Sequence, residues 1–292
     1  MPKLYYMVGL PGSGKSRYAK ELCDTVFCLS AHWDKMREQE IEDRNEVMNL
    51  FNKQVIDCLA SGNDCAVDAT NVKAKTRIHF LRQVLRGVDC EKICIVMATP
   101  YLRCIKDAGV RKDVVDEYYH KWETPLQEEG FDEVWLHYEK PEWIGLNGNP
   151  FDLPKFLAKY NQESPYHMRY LGDHLAYTYK RMCNKLMRCD RDTEGEELGY
   201  AAVLHDCGKP FTKTYDQWNT ANYYNHNNIG GYEALFFDCD DADTTYVSAL
   251  VCHHMDPYFW TEPTHEMKFI KRFGSHFYND IMILHRADKE AH

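Results

Sequence analysis

The sequence predicts a parallel α/β domain followed by an all-α domain, on three observations. Short apolar strands alternate with amphipathic helices over residues 1–140. A glycine-rich turn, Gly9-Leu-Pro-Gly12-Ser13-Gly14-Lys15-Ser16, joins the first strand to the first helix. Beyond residue 155 strand signals fade and helical stretches follow one another, with 10 of the 14 histidines lying past residue 160.

Leu4–Val8 is an apolar run of strand length, and Arg17–Leu22 opens a helix after the turn. Phe27–Leu29, Cys65–Val67, Lys92–Met97 and Glu133–Tyr138 read as further strands, with helices such as Val47–Ser61 and Thr76–Arg86 between them. Pro141 to Pro150 carries two prolines and two glycines, which marks a linker. Helical stretches then cover Asp173–Met187, Glu196–His205, Asn228–Phe236, Thr245–Cys252 and Ile281–Asp288. The expected division is a first domain over 1–140, a linker over 141–156 and a helical domain over 157–292.

A chain of 292 residues has room for two ordinary domains, and 44% apolar with 27% charged residues is a globular balance. There is no 18-residue apolar run, so no membrane partner is expected. Twelve cysteines without a secretion signal predict free thiols in a reducing compartment, the cytoplasm, or the host cytoplasm for a viral protein. The net charge of −10 argues against long, sequence-blind duplex binding, and leaves room for an enzyme that grips only a strand end.

The turn fits G-x-x-x-x-G-K-[ST] in its strand-to-helix context. Gly9, Gly12 and Gly14, with Ser13 between them, let backbone N–H groups face a phosphate at a helix N-terminus. Lys15 would reach the β/γ-phosphates of ATP or another nucleoside triphosphate, and Ser16 would ligate Mg²⁺. Asp34 follows the second strand, with Arg37 three positions on and so on the same helix face. Asp34 is placed to accept a hydroxyl proton, and Arg37 to hold an acidic group. Asp68, Thr70 and Asn71 end the third strand; Asp68 would serve Mg²⁺ through water or orient Arg37, and Thr70 and Asn71 would shape an acceptor pocket. Lys106–Arg111 is a candidate lid that supplies cations.

Together with Trp122 to Asp132, these motifs resemble the kinase module of bacteriophage-type polynucleotide 5′-hydroxyl kinases, over about residues 3–140. The resemblance implies Asp34 as general base for a 5′-OH and Arg37 on the neighbouring phosphate. The lid departs from the family's R-N-x-x-R pattern, and Arg111 is its best arginine.

In the second half, His205-Asp206 closes an apolar helix that Gly208 stops, and two ligands from one rigid segment suit a metal. Further candidates are His174, His226, His253 or His254, and Asp288. Mixed His and carboxylate donors suit Mn²⁺, Fe²⁺ or Ni²⁺ better than structural zinc. The stretches around His167, His174, His205-Asp206-Cys-Gly208-Lys209, Asn225-His226, His254-Met and Asp288 resemble the HD phosphohydrolase superfamily over about residues 164–290. That resemblance implies His174, His205, Asp206 and Asp288 around one ion. In two-metal members, Asp206 would bridge to a second ion held by His226 and His254. It implies hydrolysis of a phosphoester by water activated at the metal site, with Lys209 neutralising the phosphate and His167 supporting the site.

Joined, the two resemblances imply an end-healing enzyme acting on strand ends, RNA favoured, with a ligase acting downstream. It would phosphorylate 5′-OH ends and remove 3′-phosphate or 2′,3′-cyclic phosphate. The rival readings are a nucleoside kinase fused to an HD nucleotidase, and an HD hydrolase gated by ATP.

Overall fold

The computed structural model describes residues 1–107, 109, 111–144, 148–163, 169–186 and 195–291. These fall into two compact units: Met1–Tyr118 with Pro125–Glu139, and Tyr119–Thr124 with Lys140–His292. Residues 119–124, expected in the first domain, thus cluster with the second.

The first unit is a five-stranded parallel sheet. Its strands are β1 (Lys3–Gly9), β2 (Val26–Cys28), β3 (Cys65–Asp68), β4 (Glu91–Ala98) and β5 (Glu133–Tyr138), in the order β2-β3-β1-β4-β5. The central β1 is buried on both faces, as a parallel sheet requires. Met7 packs with Ala19, Ala66, Ile93 and Ile95 on one side, and Tyr6 meets Phe80 and Phe131 on the other. Crossover helices α1 (Lys15–Leu22), α2 (Leu29–Glu38), α3 (Arg44–Ala60) and α4 (Ala74–His79) link the first four strands. Leu29, expected to end β2, starts α2 instead. The helix expected over Thr76–Arg86 is α4 followed by a wider π-turn over Phe80–Val84. Helices α5 (Tyr101–Asp107) and α6 (Lys112–Tyr119) follow β4.

A buried ion pair ties this unit together. Arg77 is fully buried and donates from Nε and Nη2 to both oxygens of Glu129 at 2.7 Å. Its third nitrogen donates to the Asn71 carbonyl at 2.9 Å, which holds the loop after β3.

The second unit is helical: α7 (Lys155–Ala158), α8 (Leu171–Leu186), α9 (Glu196–Leu204), α10 (Lys209–Thr212), α11 (His226–Ala234), α12 (Thr244–His253) and α13 (Pro263–Lys289). Every residue from Leu198 to Leu204 is buried, which makes α9 the centre, packed by α8, α12 and α13. Helix α13 is far longer than the Ile281–Asp288 stretch expected, and it kinks at Gly274, whose φ of 86° leaves the helical region. A small antiparallel hairpin, β6 (Thr214–Tyr215) and β7 (Ala221–Asn222), was not anticipated. The Tyr119–Thr124 segment is built into this unit. Trp122 stacks edge-on against Tyr232, Asn228 donates to the Trp122 carbonyl at 2.6 Å, and Thr124 shares a 2.6 Å hydrogen bond with Ser248.

Candidate functional site

In the first unit the phosphate-loop candidates gather where β1 and β3 end side by side. Parallel pairing puts Tyr6 opposite Val67, and the Gly9 N–H donates to the Thr70 carbonyl at 3.1 Å. Ligands of such sheets bind beyond the carboxyl ends of the strands. Gly12 and Gly14 have φ of 83° and 86°, the left-handed conformation that an anion-cradling loop needs and that glycine adopts without strain. Lys15 starts α1 and folds back over the loop, its ammonium 2.6 Å from the Leu10 carbonyl and 3.3 Å from the Ser13 hydroxyl. Burial pulls its pKa down to about 8 despite the nearby Asp68 carboxylate. The Ser16 hydroxyl donates to Asp68 Oδ2 at 2.6 Å. A hydroxyl and a carboxylate side by side are the donor types a phosphate-bound Mg²⁺ takes from a P-loop protein.

Asp34 and Arg37 lie on one exposed face of α2, 3.6 Å apart, so Arg37 pairs with Asp34 rather than with Asp68. Asn71 spends its side-chain amide on the Met7 carbonyl at 2.9 Å, and Thr70 gives its carbonyl to Gly9; both hold the loop itself. Arg111 pairs with Asp113 at the start of α6. Residues 108 and 110 of the expected lid lie outside the described residues, as does His167.

In the second unit, His205 and Asp206 follow the last turn of α9. The chain then turns through Gly208 into α10. A Cβ on Gly208 would stand 2.0 Å from the His226 carbonyl oxygen, so only glycine lets the start of α11 approach this closely. This contact brings His226 to Asp206. His174 comes from α8, His254 from just beyond α12, and Asp288 from the end of α13. All six side chains are buried.

They form two sets of three: His174, His205 and Asp288; and Asp206, His226 and His254. Asp206 faces both. Its Oδ2 lies 3.4 Å from His174 Nε2 and 3.5 Å from His205 Nε2, while its Oδ1 lies 3.1 Å from His226 Nε2 and 3.7 Å from His254 Nε2. Asp288 Oδ1 stands 3.2 Å from His174 and 3.4 Å from His205. Neighbouring donors about 2.1 Å from one ion lie roughly 3.0 Å apart in an octahedron and roughly 3.4 Å apart in a tetrahedron. The spacing therefore suits donors that share an ion.

The tautomers support the same fit. Nδ1 of His205, His226 and His254 lies 2.9, 2.7 and 2.7 Å from the carbonyl oxygens of Ala202, Tyr223 and Val251, each three residues upstream. A carbonyl only accepts, so Nδ1 holds a proton in each, and Nε2 of the neutral ring carries the lone pair. The buried Nε2 atoms of His226 and His254 have no hydrogen-bond partner, yet both face a carboxylate oxygen. Lone pairs turned toward one another in a buried site need a cation between them. The donor set fits a divalent metal.

The charges respond to this crowding. Burial alone would lower the pKa of His205, but the carboxylates of Asp206 and Asp288 raise it to about 10. A proton there answers the same negative charge that an ion would. Burial would raise the pKa of Asp206, but the cations of Lys209 and His205 hold it well below the usual range. Lys209 Nζ sits 2.6 Å from Asp206 Oδ2 and donates to Gln162 Oε1 at 2.8 Å.

His253, the alternative to His254, points elsewhere. Its Nδ1 bonds Asp256 at 2.8 Å, and its ring packs against Phe269, Phe273 and Phe277. Sequence reasoning missed Gln162 and Tyr258, whose hydroxyl donates to Asp288 Oδ2 at 3.0 Å. Tyr258 lies in a separate 3₁₀ turn, Asp256–Phe259, beyond the end of α12, so no helical spacing ties it to His254. Gln162 carried no signal.

A family model described as an AAA domain matches residues 4–117. The first unit therefore carries a P-loop kinase-like domain, of a group that includes polynucleotide kinases, and such a domain implies a nucleotide and Mg²⁺. No curated protein matches this chain. No helix among the described residues is long and apolar enough to cross a membrane.

Proposed function

We propose that this chain is a bifunctional nucleic-acid end-healing enzyme. Its P-loop unit phosphorylates 5′-OH ends with ATP, and its helical unit, an HD-type phosphohydrolase, removes 3′-phosphate or 2′,3′-cyclic phosphate. RNA is the favoured substrate, and a ligase consumes the healed ends. The observation that carries the reading is Asp206, whose two oxygens face two separate histidine sets, in the same chain as a P-loop kinase-like domain.

In the kinase reaction, the Gly9–Ser16 loop and Lys15 hold the triphosphate, and Ser16 and Asp68 would hold the Mg²⁺ that neutralises its charge. Asp34 accepts the proton of the attacking hydroxyl, and Arg37 beside it binds the adjoining phosphate. In the hydrolase reaction, divalent ions such as Mn²⁺, Fe²⁺ or Ni²⁺ would lower the pKa of water and polarise a phosphoryl oxygen. His174, His205 and Asp288 orient one side of the site, His226 and His254 the other, and Asp206 spans both. Lys209 offsets the negative charge of the phosphate that enters.

The test is a short RNA with a 5′-OH and a 3′-phosphate, incubated with ATP and Mg²⁺, with and without Mn²⁺ or Ni²⁺. Mass measurement of both ends should show phosphate gained at the 5′ end and lost at the 3′ end. Both ends unchanged, with phosphate moving on free nucleosides or nucleotides instead, would replace this reading by nucleotide metabolism, which the net charge of −10 favours. Arg37→Ala should slow phosphorylation of strands more than of nucleosides.

A further inference from the structure

Part of the donor cluster lines a cleft of about 830 Å³, large beyond the needs of a phosphate group and within the range of small-ligand pockets. Asp206, His226, His254, Asp288 and Lys209 are among the residues that line it. The cleft is also lined by four aromatic residues, Tyr223, Tyr224, Tyr258 and Phe259.

Two of these rings are already engaged. Tyr223 packs against Tyr160 and carries Lys209 Nζ over its face at 5.7 Å. Tyr258 packs against His285 with ring centroids 4.4 Å apart. The other two are different. Tyr224 is 71% exposed and Phe259 67% exposed, and among the described residues neither ring meets another aromatic ring. Two exposed aromatic side chains that line one charged cleft are placed to meet a ligand that enters it.

We propose that Tyr224 and Phe259 are base-stacking platforms, which hold the terminal nucleoside of the substrate while its phosphate lies over the donor cluster. The inference rests on the hydrolase reading above and adds how that site recognises its substrate. A chain with a net charge of −10 has little excess positive charge with which to hold a strand. Stacking is the other general source of affinity for unpaired bases, and it is indifferent to sequence because every base has a π-face. Aromatic rings in the same cleft as phosphate-seeking donors fit a base-bearing phosphate, from a strand end or a free nucleotide, rather than a simple phosphate ester.

The experiment uses the full-length protein and a short RNA whose 3′-terminal base is 2-aminopurine, with a 3′-OH so that nothing is hydrolysed. Stacking quenches its fluorescence. Wild type should quench it on binding. Tyr224→Leu and Phe259→Leu should each lose quenching and weaken binding roughly tenfold, while Tyr224→Phe keeps both. Both residues are exposed, so the variants should fold. In a parallel arm, the Leu variants should raise KM for a 3′-phosphorylated RNA and leave KM for glycerol phosphate unchanged. Absence of quenching in wild type, or binding unchanged in both Leu variants, overturns the inference. Quenching of free 2-aminopurine riboside 3′-monophosphate without binding of the strand keeps the stacking role and overturns the strand-end function.

Discussion

His226 points its Nε2 at Oδ1 of Asp206 across 3.1 Å, while the other oxygen of that carboxylate faces His174 at 3.4 Å. Asp206, a member of one donor set, thus also faces the other. Its loss should cost more than the loss of any histidine. In Asp206→Asn the shape is kept and the charge removed. Bound metal, counted by mass spectrometry, should fall toward zero, and hydrolysis should fall with it. Phosphorylation of 5′ ends should continue. If hydrolysis survived, the shared position of Asp206 would have no chemical meaning.

Lys15 gives a pH dependence with a definite sign. Burial lowers its pKa to about 8, whereas a phosphate beside it would favour the charged form. Nucleotide binding should therefore take up a proton near and above pH 8, and affinity for ATP should weaken as pH rises through that range. Calorimetry in buffers of different ionisation enthalpy reads the uptake directly. In Lys15→Ala the uptake should vanish, together with kinase activity.

Arg77 and Glu129 form a fully buried pair, so removing either partner strands a charge. Arg77→Met or Glu129→Gln should destabilise the first unit by about 3–5 kcal/mol. The double variant Arg77→Met/Glu129→Gln should recover part of that loss. Denaturant midpoints of the three variants check this; simple additivity would count against the pair acting as a unit.

Glu233 is buried and accepts a hydrogen bond from the Tyr119 hydroxyl. Burial raises its pKa to about 7, although the Tyr119 bond lowers it. Unfolded, it would titrate near the ordinary value of 4.5. Between those two values the folded state binds more protons, so its contribution is greatest below pH 4.5 and is lost as pH rises toward 7. Glu233→Gln should flatten the thermal stability of the second unit across that window. An unchanged slope would mean that Glu233 does not titrate there.

Part of this protein is written locally. The turn from Gly9 to Ser16 is contiguous, and its glycines, lysine and serine do their work within one loop. Strand–helix alternation is likewise read within short windows. The edges were less legible: Leu29 carries strand character, yet it starts α2 because the parallel sheet ends β2 at Cys28. The length of α13 was partly legible: Phe269, Phe273, Phe277, Ile281 and Leu284 keep helical spacing along it, and Gly274 is the one non-helical position within it.

The sequence by itself determined which residue types are available for the proposed chemistry: a complete phosphate loop, an Asp-Arg pair at helical spacing, and a His-Asp pair with distant histidines. Only the tertiary structure decided who meets whom. His254 rather than His253 turns to Asp206, because the ring of His253 is held among three phenylalanines of α13. Residues 119–124 joined the helical unit because Trp122, Thr124 and Tyr119 find partners on α11 and α12. The physical reason is the same in each case. Side-chain direction depends on packing against elements far away in the chain, and no local spacing encodes it.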